Sequence, residues 1–122
     1  MGYLTRFKLT WEAPIPAEIT DERARAKARA ERDGQIVAVL EQTEWWSSIE
    51  DGEAQKWYSR HTDIREVAMQ FPDVVFTLQG HGENATDMWR TYFQADFCYT
   101  VKAVITYPEF DPDKLELNYG KA

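Results

Sequence analysis

Apolar and polar residues alternate from the start of the chain. Tyr3, Phe7, Leu9 and Trp11 share one parity, and Leu4, Arg6, Lys8 and Thr10 the other. This period of two predicts a strand over about 3–11, ended by Pro14 and Pro16. Residues 21–32 are rich in Ala, Arg, Lys and Glu, all good helix formers, and Thr20 or Asp21 can cap their N-terminus. The run 35–40 is apolar without a clear period, so it reads either as a fresh strand or as more helix with Gly34 inside it. The spacing of Ile36, Val39 and Leu40 favours one helix over about 18–42.

Asp51-Gly52 lies between the aromatic runs 45–49 and 55–58, which predicts a hairpin of two short strands. Ile64, Val67, Ala68 and Phe71 repeat at helical spacing over 62–71, and Pro72 blocks continuation. In the strand expected at 74–79, Val74, Phe76 and Leu78 oppose Val75, Thr77 and Gln79. The turn 80–87 leads to a strand at 88–93, where Trp89, Thr91 and Phe93 alternate with Met88, Arg90 and Tyr92. After a turn at 94–97, Tyr99, Val101, Ala103 and Ile105 form one face of a last strand. The tail carries Phe110, Leu115 and Leu117, which should pack one short turn on the domain edge, with 112–122 loosely held. Strand, helix, strand, strand, helix, strand is the order of a ferredoxin-like βαββαβ fold. The expectation is a single α+β domain over 1–122 with additional C-terminal antiparallel strands and the helices on one sheet face.

Composition supports a folded domain: 122 residues, 43% hydrophobic and 14% aromatic, with five tryptophans. Charge is uneven. Residues 1–33 hold seven Lys/Arg and six Asp/Glu, and residues 34–122 hold seven and fifteen, within a net charge of −7. That balance disfavours a phosphate backbone and suits a basic partner. The single cysteine, Cys98, excludes an internal disulfide. No apolar stretch suggests a membrane span or signal peptide, so the expectation is a cytoplasmic protein without membrane contact, and the Asn84-Ala85-Thr86 sequon has no meaning there.

Several short segments carry a resemblance. They are Lys56-Trp57-Tyr58, Asp63, Phe71-Pro72-Asp73, Val75-Phe76-Thr77-Leu78, Gly80-His81-Gly82-Glu83, Asp87-Met88-Trp89, Tyr92-Phe93, and in the tail Phe110-Asp111 and Lys114-Leu115. In order and spacing, over about 45–117, they resemble a family of small proteins of unknown function encoded mainly by phages and other mobile elements. His81 stands where that family tends to carry Glu, and Asn84 where a second Glu is usual. The resemblance implies an α+β fold and a phage-type context, hence contact with host machinery in a host cytoplasm, including inhibition of a host defence complex. It implies no reaction.

Four groups of residues could carry chemistry. His61, Asp63, His81, Glu83 and Asp87 are the types that bind a divalent ion or form an acid–base pair, although their spacing matches no standard zinc motif. Gly80-His81-Gly82 superficially resembles a phosphate loop, but the nearby acids would repel phosphate, and a hairpin turn needing positive φ is the simpler reading. Trp45, Trp46, Trp57, Tyr58, Trp89 and Tyr92, with Arg90, could stack bases or form a protein interface. Of these, Trp57 and Trp89 are expected in the core, and Trp46 and Tyr92 at the interface. The basic residues of 21–33 spread around their helix and read as a solvated face. No Ser-His-Asp or Cys-His pattern is present.

The reading favoured is a non-enzymatic acidic protein that contacts a basic host macromolecule through Trp46, Tyr58, Glu83, Asp87, Arg90 and Tyr92, with no cofactor or metal. The alternatives are a metal-dependent or acid–base enzyme using the 81–87 turn, and a single-stranded nucleic-acid binder using sheet aromatics. Homodimerisation through an open sheet face or an edge strand stays open.

Overall fold

The computed structural model describes residues 4–84 and 86–117. Its elements run β1 (Arg6–Glu12), α1 (Glu22–Leu40), α2 (Trp46–Glu50), α3 (Arg60–Ala68), β2 (Val75–His81), β3 (Met88–Gln94) and β4 (Phe97–Lys102), with a 3-10 turn at Pro112–Lys114. The four strands form one antiparallel sheet in the order β1-β2-β3-β4. The fold is therefore α+β.

The ferredoxin-like order expected from the sequence is not the order of this sheet. All three helices fall between β1 and β2, and no strand separates α1 from α3. The expected hairpin at 45–58 is replaced by α2, for a local reason. Gly52 adopts φ 69°, its N–H donates to the Ile49 carbonyl at 3.0 Å, and the Glu53 N–H reaches back to Ser48 at 3.2 Å. That is the Schellman pattern of a helix end. Asp-Gly here stops a helix where the sequence suggested a turn between strands. From the same segment only Gln55 joins a ladder, in an isolated bridge to Thr5.

Helix α1 continues through Gly34, and the Asp21 carboxylate caps it by accepting from the Ala24 N–H at 3.0 Å. Its buried residues, Ile36 and Leu40, lie in its C-terminal part. The N-terminal part is held by the Arg25 guanidinium donating to the Ile19 carbonyl and by an Arg32–Asp73 ion pair. Trp11 ties β1 to this helix through Nε1 to Asp33 at 3.0 Å.

Strand parity and register place the core on one side of the sheet. Phe7 and Leu9 of β1, Phe76 and Leu78 of β2, and Phe93 of β3 join Trp46, Ile49, Trp57, Ile64, Val67 and Phe71 in a single buried cluster. Thr91, also buried, shares a hydroxyl hydrogen bond of 2.8 Å with Thr100. The opposite parity leaves Arg6, Lys8, Arg90, Phe97, Tyr99 and Val101 exposed. The tail differs from expectation: Phe110, Leu115 and Leu117 are exposed and do not pack on the domain edge. Tyr3 and residues 118–122 lie outside the described residues.

Gly80 is not in a positive-φ turn. It sits in β2 opposite Trp89, whose indole lies against the bare backbone: a Cβ on Gly80 would come within 2.2 Å of Trp89 Cε2 and Cζ2. Phe7 meets that indole edge-on at 6.0 Å, and the Arg60 guanidinium covers it at 4.9 Å. Gly34 is the contrary case, with nothing within 4 Å of an added Cβ. Gly34→Ala is thus expected to stabilise the protein by about 0.5–1 kcal/mol, and Gly80→Ala to destabilise it by about 1–3 kcal/mol through displacement of the indole. Urea midpoints of the two variants check both signs.

Candidate interaction surface

The six residues singled out from the sequence do not form one site. Trp46 is only 8% exposed, tilted against Trp11 and edge-on to Trp45 in the core, so its expected place at an interface is corrected. The cause is α2: helical geometry turns Trp46 and Ile49 inward together. Tyr58 is 78% exposed, but it follows Trp57, which packs on Phe7 at 5.4 Å on the covered side of the sheet.

Glu83, Asp87, Arg90 and Tyr92 do belong together, because one hairpin carries them. The Gly82 N–H donates to the Asp87 carbonyl at 2.8 Å, closing the turn between β2 and β3. Glu83 is exposed and accepts from the Leu4 N–H at 3.0 Å, which draws the start of the chain beside the turn. The Thr5–Gln55 bridge brings the loop after α2 to the same end, where Ala54 and Arg6 lie near Glu83. Further along β3, Arg90 and Tyr92 share the open face. Arg90 Nε donates to the Gln79 side chain at 3.2 Å, and the Tyr92 ring lies 5.2 Å from that of Tyr99 on β4. A groove of about 330 Å³ runs over this face between Gln79, Met88, Arg90, Tyr92, Val101 and Val104.

The residues considered for metal or acid–base chemistry are dispersed. His61 lies on α3 with its ring 5.6 Å from Phe93, on the covered side, whereas the parity of β2 places His81 on the open side. Burial, then the neighbouring Arg60 charge, lowers the His61 pKa. Among the described residues no three His, Cys, Asp or Glu side chains converge. Asp63 has structural work instead. Its Oδ2 accepts from Trp57 Nε1 and from the Ser59 hydroxyl, both at 2.7 Å, tying the start of α3 to a core indole.

The sequence reading passed over Phe97, Tyr99 and Val101 as a contact surface. Their signal was available: residues 97–108 contain one charge, Lys102, and among the described residues they stay exposed. At the β3–β4 turn Ala95 takes φ 51°, and Arg65 pairs with Asp96, whose pKa is lowered first by that hydrogen bond and then by the charge. In comparisons with protein-family models, curated proteins and solved structures, nothing matches this chain. Among the described residues no helix is long and apolar enough to cross a membrane.

Asp63→Ala removes the one oxygen that accepts both hydrogen bonds and leaves the buried Trp57 N–H unpaired. The expected loss is about 1–3 kcal/mol, read as a lower urea midpoint, with a red-shifted tryptophan emission if the indole becomes wet.

Proposed function

We propose that this protein acts by binding another protein rather than by catalysis. The observation that carries the reading is the β2–β3 hairpin. It presents an acidic turn, Glu83 and Asp87, continuous with Arg90 and Tyr92 on a sheet face that nothing in the described chain covers. Tyr and Arg at the centre of a contact, with charges at its rim, is the composition of a protein interface. The acidic rim and the net charge of −7 favour a basic partner surface. The phage-type resemblance makes a host protein, including a component of a defence complex, the first place to look for it.

One observation favours a second reading, single-stranded nucleic acid. The open face itself carries Arg6, Lys8 and Arg90 against one acid, Glu12, beside Tyr92, Tyr99 and Phe97. Cations and aromatics on an antiparallel sheet suit unpaired bases.

The test uses immobilised full-length protein and host lysate at low and high salt, alongside a labelled single-stranded oligonucleotide. A stoichiometric protein captured at low salt is expected. Its affinity should fall about 10–30-fold in Tyr92→Ala and Arg90→Ala. In Glu83→Gln/Asp87→Asn the main effect should be slower association. Equal capture by all variants, or no captured protein, overturns the reading. Tight oligonucleotide binding abolished by Lys8→Ala/Arg90→Ala transfers the function to nucleic acid.

A further inference from the structure

The two edges of the sheet are treated differently. At β1, Thr5 exchanges both backbone hydrogen bonds with Gln55, at 3.0 and 2.9 Å, Arg6 and Lys8 line the strand, and Pro14 and Pro16 follow it. These are the usual guards against edge-to-edge pairing. Strand β4 has none of them except Lys102. All six of its residues are exposed, and no strand pairs with its outer side among the described residues.

The chain then leaves β4 as an exposed arm. Val104, Ile105, Tyr107, Phe110, Leu115 and Leu117 are 57–86% exposed. A whole aromatic side chain buries about 150–250 Å². Phe97, Tyr99, Tyr107 and Phe110, each 64–86% exposed, therefore present roughly 600 Å² per copy. The aliphatic residues beside them raise this past the ~800 Å² per partner of a standard interface.

We infer that two copies of this chain pair through β4, antiparallel about a two-fold axis, and that the arm 103–117 of each lies on the open sheet face of the other. Antiparallel pairing sends residue 103 of one copy past the Phe97 end of the other's β4. At that end the open face holds a groove of about 300 Å³ between Val75, Tyr92, Phe97 and Tyr99. Adjoining it, a larger groove of about 780 Å³ shares Val75 and Gln94 and exposes Arg25 and Arg29. The arm matches this sequence of surfaces. Val104, Ile105 and Tyr107 come first, and Glu109, Asp111 and Asp113 follow. The larger groove also carries Glu12, Asp33 and Asp73, of which Asp73 pairs with Arg32, so the match rests on the apolar residues of the arm and on Arg29.

Reach is sufficient: ten extended residues span about 33 Å, and crossing a four-stranded sheet takes about 14 Å. A second copy is the occupant that answers both features together. It supplies an unpaired strand of equal length and an arm of matching chemistry, and β4 itself brings no acid to meet acid. The pairing removes both open edges and closes at two copies. It leaves the acidic turn and the Gln79–Arg90 end of the open face accessible and shares only Tyr92 with the partner-binding reading.

Light scattering on full-length protein, combined with size-exclusion chromatography at about 100 µM, tests the inference. The expected mass is roughly 29 kDa, twice the 14.3 kDa chain. Tyr107→Glu/Phe110→Glu changes exposed arm residues that line neither groove of the open face and is expected to return the monomer mass, with a lower thermal midpoint that no longer depends on concentration. Val101→Lys, on β4, is expected to do the same. A monomeric wild type, a wild-type ladder of larger species, or a dimer that survives the arm variant overturns the proposal.

Discussion

Trp89 can lie flat on the sheet only because residue 80 has no side chain. A Cβ there would sit 2.2 Å from the indole, well inside contact distance. With the backbone bare, the indole fills the place of a missing cross-strand partner and brings three elements together. Phe7 of β1 meets its edge, Arg60 of α3 covers it, and β3 holds it in register. The covered side of the sheet is closed at this end by one aromatic ring, and closing one side leaves the other side free for binding. A four-stranded sheet with all its tryptophan-rich packing on one face has the opposite face available to a partner.

Features set by neighbouring residues were legible in the sequence; those set by distant ones were not. Parity in β1, β2 and β3 named the buried residues Phe7, Leu9, Phe76, Leu78 and Phe93 because a strand has a fixed period. Helix α1 was legible over 21–32, where Ala, Arg, Lys and Glu favour helix and Asp21 caps it locally, and its continuation through Gly34 was favoured over a fresh strand only by the spacing of Ile36, Val39 and Leu40. Asp51-Gly52 was misread because a glycine with positive φ serves a hairpin turn and a helix C-terminus equally well. What decides between them is whether the preceding residues coil, and α2 does so to bury Trp46 and Ile49. Gly80 was misread for a related reason. Nothing local distinguishes a glycine needed for its backbone angle from one needed for space, and the indole that needs the space comes from another strand.

The candidate surface divides the same way. Arg90 and Tyr92 fall on the open face by parity alone. Trp46 was lost to the core because its exposure depended on a strand that is a helix. The net charge of −7 says where acids are numerous, not where they are. Glu83 and Asp87 sit together in the β2–β3 turn, and the open face carries Arg6, Lys8 and Arg90. A partner docking along β3 from the turn inward therefore crosses from a negative rim to a positive centre. Such a gradient fixes the orientation of docking more than it adds affinity.

The asymmetry of the edges carries the argument one step further. A fold that protects β1 with a bridge, cations and prolines is not indifferent to edge pairing, so the bare edge of β4 is unlike the rest of the design. Exposed aromatics scattered singly need no explanation, but here Phe97, Tyr99, Tyr107 and Phe110 are joined by the exposed Val101, Val104 and Ile105 on a segment with little charge in its first half. A monomer would hold that surface in water at a steady cost in free energy. Pairing with a second copy removes the cost while leaving the Glu83–Arg90 side of the hairpin open. Self-association and partner binding then meet at Tyr92 and otherwise occupy different parts of one sheet, and a dimer would offer two such contact surfaces in fixed relation.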